Sequence, residues 1–66
     1  MLEISKRKIK VLMAQQGLTT KDLAAKMNAQ PNNVSTILTR GTCRPETAAR
    51  IANALGVSVT EIVKED

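Results

Sequence analysis

The sequence predicts an all-α fold, a compact domain of five helices built around a helix-turn-helix. Three observations carry that prediction. Apolar residues recur at i, i+3 or i+4 in each of five segments, the spacing of one helical face. Residues that start and stop helices punctuate these segments: Ser and Thr caps, two prolines and three glycines. Between Thr19 and Arg40, two such faces are separated only by Asn28-Ala29-Gln30. Two helices that share an apolar seam across so short a turn must cross at a steep angle.

Taken in order, the first helix runs from Ser5 to Gln16, with Ser5 as its N-cap and Ile9, Leu12 and Met13 as its inward stripe. Met13 reads as adaptable core filler, and Gly17 ends the helix. Thr19 opens the second: its hydroxyl can accept from the N–H of Asp22, while the Asp22 carboxylate answers the N–H of Thr19, a capping box. Leu23, Ala24 and Met27 face inward, with Ala24 small where the two helix backbones approach. Asn28 stops this helix, being one of the few residues besides Gly that tolerate the left-handed conformation. Gln30 is the next N-cap, and the locked φ of Pro31 suits the first position of a third helix, Pro31 to Arg40. Its inward face is Val34, Ile37 and Leu38.

Gly41-Thr42-Cys43-Arg44 reads as a short loop with hydrogen-bond donors. Cys43 fits there as a tolerated small residue. A reactive thiol needs a lowered pKa, and Arg44 is the one neighbour that pushes in that direction. Pro45 and Glu46 open a fourth helix with Ala48, Ile51, Ala52 and Leu55 as its stripe and Gly56 as its C-terminal cap. Ser58 and Glu61 suggest a second capping box for a fifth helix of barely two turns, with Val59, Ile62 and Val63 apolar. A helix that short is not stable alone. It must pack on the domain, on a second copy or on both, which makes Val59, Ile62 and Val63 the expected dimer interface.

The chain has 66 residues, near the lower limit at which one hydrophobic core suffices. Residues 1–66 are expected to form a single domain, with no linker, repeat or appended effector domain. One cysteine and no histidine exclude an internal disulfide and leave almost no ligands for a metal of ordinary Cys/His type. No cofactor is expected. Without histidine or clustered carboxylates there is no credible acid–base pair or activated nucleophile, so an enzyme is not expected. No run of about 18 apolar residues occurs and the N-terminus lacks the layout of a signal peptide, so a soluble, cytoplasmic protein without a membrane partner is expected.

Ten basic residues against six acidic ones give a net charge of +4, which suits a polyanion. Lys6, Arg7, Lys8 and Lys10 gather in the first helix and Arg40 and Arg44 follow the third. Glu61, Glu65 and Asp66 make an acidic end expected to point away from the partner. Aromatic residues are absent. Binders of single strands and of specific RNA depend heavily on stacking bases against aromatic rings, so duplex DNA is the expected polyanion.

Reading from Thr20, the small residue Ala24, the turn residue Asn28 and the apolar Val34 and Ile37 resemble the helix-turn-helix of Cro-like and phage-repressor-like domains, the XRE type. Gly17-Leu18-Thr19 before the motif and Ile51-Ala52-Asn53-Ala54-Leu55-Gly56-Val57-Ser58 after it are similar to the same family. Departures are Asn28, where the family usually has Gly, and Thr20, where it often has a phosphate-contacting Gln. Many members also hold an Arg and a Glu at the positions of Met13 and Leu38, an ion pair replaced here by two apolar groups.

The resemblance implies a lambda-repressor-like DNA-binding fold and a transcriptional regulator, expected to be a repressor, acting on bacterial or phage DNA as a homodimer. Helical geometry places Asn32, Thr36 and Thr39 opposite the core face of the third helix. These short polar groups suit base edges in the major groove: Asn pairs with adenine, and Thr offers a hydroxyl or a methyl to thymine. Phosphate contacts are expected from Thr20 and Lys21 at the start of the second helix, where backbone N–H groups favour an anion. Asn33, Arg40, Thr42 and Arg44 flank the reading face, at positions similar to those with which the family grips the backbone. The alternative is a protein-interaction module, such as an antitoxin-like or anti-repressor-binding domain.

Overall fold

A computed structural model describes residues 1–64; Glu65 and Asp66, assigned above to an acidic end, lie outside the described residues. The elements in chain order are β1 (Leu2–Glu3), α1 (Lys6–Gln16), α2 (Thr20–Met27), α3 (Pro31–Arg40), β2 (Thr42–Cys43), α4 (Pro45–Leu55) and a 3-10 turn, Val59–Glu61. The domain is mostly helical, as expected. Each α-helix starts and stops at the residues that local chemistry favours. Ser5 Oγ accepts from the Lys8 N–H at 3.2 Å. Thr19 Oγ1 accepts from the Asp22 N–H at 3.1 Å, and Asp22 Oδ2 accepts from the Thr19 N–H at 3.0 Å, so both halves of the capping box form. Pro31 and Pro45 open α3 and α4 at backbone-only caps, Gln30 and Arg44.

The core is continuous. Ile9 and Met13 of α1, Leu23, Ala24 and Met27 of α2, Val34 and Leu38 of α3, and Ala48, Ile51, Ala52 and Leu55 of α4 are all buried in one cluster. The expected stripes therefore hold, with Leu12 and Ile37 at its half-buried margin. Both α3 and α4 pack against α2. The Gln16 side chain ties the end of α1 to α4 by donating to the Leu55 carbonyl at 2.6 Å.

Two expectations are corrected. There is no fifth α-helix among the described residues: Val59–Glu61 is a single 3-10 turn, and Ser58 Oγ lies 2.7 Å from Thr60 Oγ1 instead of capping a helix. The cause is competition from the N-terminus. Ser5 N–H donates to the Ile62 carbonyl at 2.8 Å, Val63 bridges Ile4 antiparallel, and Lys64 N–H donates to the Glu3 carbonyl at 3.1 Å. Extended pairing thus claims the backbone that a second helical turn would need. Ile62 consequently sits in the core with 0% exposure and is not available as a dimer contact, whereas Val59 and Val63 remain half-buried.

The second correction concerns Thr42 and Cys43, expected in a loop. They form β2, antiparallel to β1 with Leu2 opposite Cys43 and Glu3 opposite Thr42. Cys43 is buried, and that burial pushes its thiol pKa up, away from reactivity. It acts as a small core residue. No helix among the described residues is long and apolar enough to cross a membrane.

Candidate nucleic-acid interface

The turn between α2 and α3 fixes how α3 is presented. Asn28 is the one non-glycine residue with positive φ among those described, at φ 55 and ψ 44. Its N–H donates to the Ala25 carbonyl at 3.1 Å, and the Ala29 N–H donates to the Ala24 carbonyl at 2.9 Å. These bonds satisfy carbonyls that the end of a helix leaves without partners. Ala24, 1% exposed, lies on the buried face of α2.

Presented this way, α3 turns Val34 and Leu38 into the core and leaves Asn32, Asn33, Ser35, Thr36, Thr39 and Arg40 exposed. The three residues expected to meet bases, Asn32, Thr36 and Thr39, share the outward face. The Thr36 hydroxyl donates to the Asn32 carbonyl at 2.8 Å within the helix. Its proton is thereby engaged, which leaves the exposed Thr36 an acceptor oxygen and a methyl group to offer a partner.

Of the residues expected to meet phosphates, Thr20 and Lys21 occupy the first two positions of α2. The capping box engages the N–H groups of Thr19 and Asp22. The Thr20 and Lys21 amides remain among the first-turn donors that have no intrahelical acceptor. The bond from the Thr19 N–H, and then the Thr19 side chain, hold the Asp22 carboxyl below its ordinary value of 3.8. Asn33 and Arg40 lie on one flank of α3 and Thr42 is half-buried in β2. Arg44, on the far side of β2, is exposed and 4.0 Å from Glu46, an ion pair of little strength in water.

Asn33, Thr36 and Arg40 border a groove of about 350 Å³ between α3 and α4, closed on the α4 side by Thr47 and Arg50. Arg50 was not singled out on sequence. Its Nη2 donates to the Met27 carbonyl at 2.6 Å, placing a cation at the C-terminal end of α2 beside the turn. Its partner is 23 residues away, so no local pattern could have marked it. Ser35, on the opposite flank of α3, was likewise unassigned. Among the described residues no group of three or more His, Cys, Asp or Glu is placed to hold a metal ion.

Comparison with known proteins agrees with this geometry. No curated protein sequence gives a significant match to the chain. The family of Cro/C1-type helix-turn-helix DNA-binding domains matches residues 8–64, from the first turn of α1 to the last described residue. That span holds the capped α2, the left-handed turn at Asn28 and the outward face of α3 in one continuous match, and the chain belongs to the Cro/C1-type helix-turn-helix DNA-binding domain family.

Proposed function

We propose that this chain is a transcriptional repressor that forms a single domain and reads duplex DNA as a homodimer. The observation that carries this reading is the outward face of α3: Asn32, Thr36 and Thr39 are exposed, short and uncharged, while cations stand on its flanks. Short polar groups discriminate base edges; cations attract any phosphate. Asn32 pairs with an adenine edge near the start of α3, the end that reaches bases in this motif. Thr36 and Thr39 contribute methyl and hydroxyl contacts. Thr20, Lys21, Asn33, Arg40, Thr42 and Arg44 hold the backbone on either side. Val59 and Val63 supply the dimer contact, without Ile62, and the two recognition helices meet half-sites roughly 34 Å apart, one turn of the duplex.

Selection of bound duplexes from a random pool, followed by titrations of two variants on the selected and a scrambled duplex, tests this. Inverted symmetry in the selected duplexes supports the dimer. Asn32→Ala is expected to cost about 1–3 kcal/mol on the selected duplex only and to relax one base position per half-site. Lys21→Ala is expected to weaken both duplexes alike and to flatten the slope of log affinity against log salt by about one contact per protomer. Equal losses for Asn32→Ala on both duplexes would remove the reading face from α3.

A further inference from the structure

The last carbonyl of α2 lacks the donor that a continuing helix would give it. Four residues beyond Met27 stands Pro31, which has no N–H. The carbonyls of Ala24 and Ala25 are served from the turn itself, by the N–H groups of Ala29 and Asn28. That of Met27 is served from elsewhere: Arg50, in the middle of α4, donates to it from Nη2 at 2.6 Å.

That bond reaches a segment with little local support. Asn28 follows Met27 directly and holds a left-handed conformation, φ 55, which costs a residue with a side chain more than it costs glycine. The turn then ends at Gln30, whose side chain makes no capping bond to α3. The fixed point is α4: Ile51, next to Arg50, is 0% exposed, Ala48 and Ala52 are buried, and Gln16 ties the end of this helix to α1. An ionised donor makes a stronger bond than a neutral one, so the turn is fastened from α4. Arg50 lines the same groove as Met27, Ala29 and the α3 residues Asn33, Thr36 and Arg40. The fastening therefore lies alongside the recognition helix.

We propose that Arg50 is a positioning residue for base reading. Held at Met27, the turn delivers the start of α3 to one place. Asn32 is the second residue of α3 and, of the three reading residues, the nearest in sequence to that turn. Val34 and Leu38 seat the rest of the helix in the core, so Asn32 is the reading residue whose placement depends most on the turn. Arg50 acts on specificity through Asn32, without touching DNA. This inference rests on the DNA reading proposed above.

The test titrates wild type, Arg50→Met, Asn32→Ala and the double variant on the selected and the scrambled duplex, at several salt concentrations and at a temperature where melts show each form folded. Arg50→Met is expected to weaken the selected duplex by about five- to tenfold for each half-site, the lower part of what a bidentate base contact contributes. It is expected to leave the scrambled duplex within about twofold of wild type and to keep the wild-type salt slope, since no phosphate contact is lost. The double variant is expected to bind the selected duplex no more weakly than Asn32→Ala alone, because Arg50 acts through that side chain. Arg50→Lys, which keeps a charged donor, is expected to bind the selected duplex within about threefold of wild type. In amide exchange, the N–H groups of Asn28 and Ala29 are expected to quicken in Arg50→Met by more than those of Ile9 and Val57, which are bonded elsewhere in the fold. Equal losses on both duplexes with a flatter salt slope make Arg50 a phosphate contact and overturn the proposal. Additive losses in the double variant, wild-type affinity of Arg50→Met for the selected duplex, an Arg50→Lys variant as weak as Arg50→Met, or equal quickening of all four amides also overturn it, and each leaves the DNA reading standing. Wild type that binds no duplex overturns the reading and this inference together.

Discussion

Ile62→Ala distinguishes a residue that holds the domain together from one that holds two copies together. Ile62 is fully buried and, with Ile9, Leu23, Val34 and Ile51, is one of the largest fully buried side chains of the core. The substitution removes three carbon groups, roughly 2.4 kcal/mol at about 0.8 kcal/mol each. The cavity left behind raises the expected cost to about 2–5 kcal/mol. A domain of this size has only about 3–10 kcal/mol in hand, at roughly 0.05–0.15 kcal/mol per residue. With each kcal/mol moving Tm by about 4–8 °C, a loss near 3 kcal/mol lowers Tm by roughly 12–24 °C. Circular dichroism melts at low and high protein concentration measure it. A core residue lowers Tm equally at both, because the loss occurs within one protomer. If Ile62→Ala melts like wild type and only weakens association, the burial of Ile62 in its own protomer is refuted.

Four further outcomes are expected. Arg50→Met removes the bond to the Met27 carbonyl and should cost about 1 kcal/mol, the low end for a charged donor because the guanidinium is exposed; unchanged chemical denaturation would show that the bond contributes nothing. Asn28→Ala should lose about 1 kcal/mol to the left-handed conformation, while Asn28→Gly should stay within roughly 0.5 kcal/mol of wild type; equal losses in melts would contradict this. Met13→Arg should cost about 3 kcal/mol or more by burying an unpaired charge, and adding Leu38→Glu should recover part of it; additive losses would mean the two side chains are not neighbours. The depressed pKa of Asp22 stabilises the fold above the unfolded value of 3.8, and that contribution disappears as pH falls through the lower folded value. The stability gap between wild type and Asp22→Asn should therefore be full at neutral pH and close in acid, as followed by melts across that range.

The sequence by itself determined the four α-helices, their ends and their inward faces. Caps, N1 prolines, glycine stops and apolar spacing act within about four residues of one another, so Ser5, Thr19, Asn28, Pro31 and Gly56 carried their structural roles without reference to the rest of the chain. The outward face of α3 was legible for the same reason: once Val34 and Leu38 turn inward, helical geometry leaves Asn32, Thr36 and Thr39 outside. Only the tertiary structure decided what happens at the two ends of the chain. Val59 to Val63 has a helical pattern, yet the Ile62 carbonyl accepts from Ser5 and Val63 bridges Ile4, and two-residue strands such as Leu2–Glu3 have no periodicity to detect. The Arg50–Met27 bond is of the same kind. It joins residues far apart in sequence, and such partners are chosen by how the helices pack.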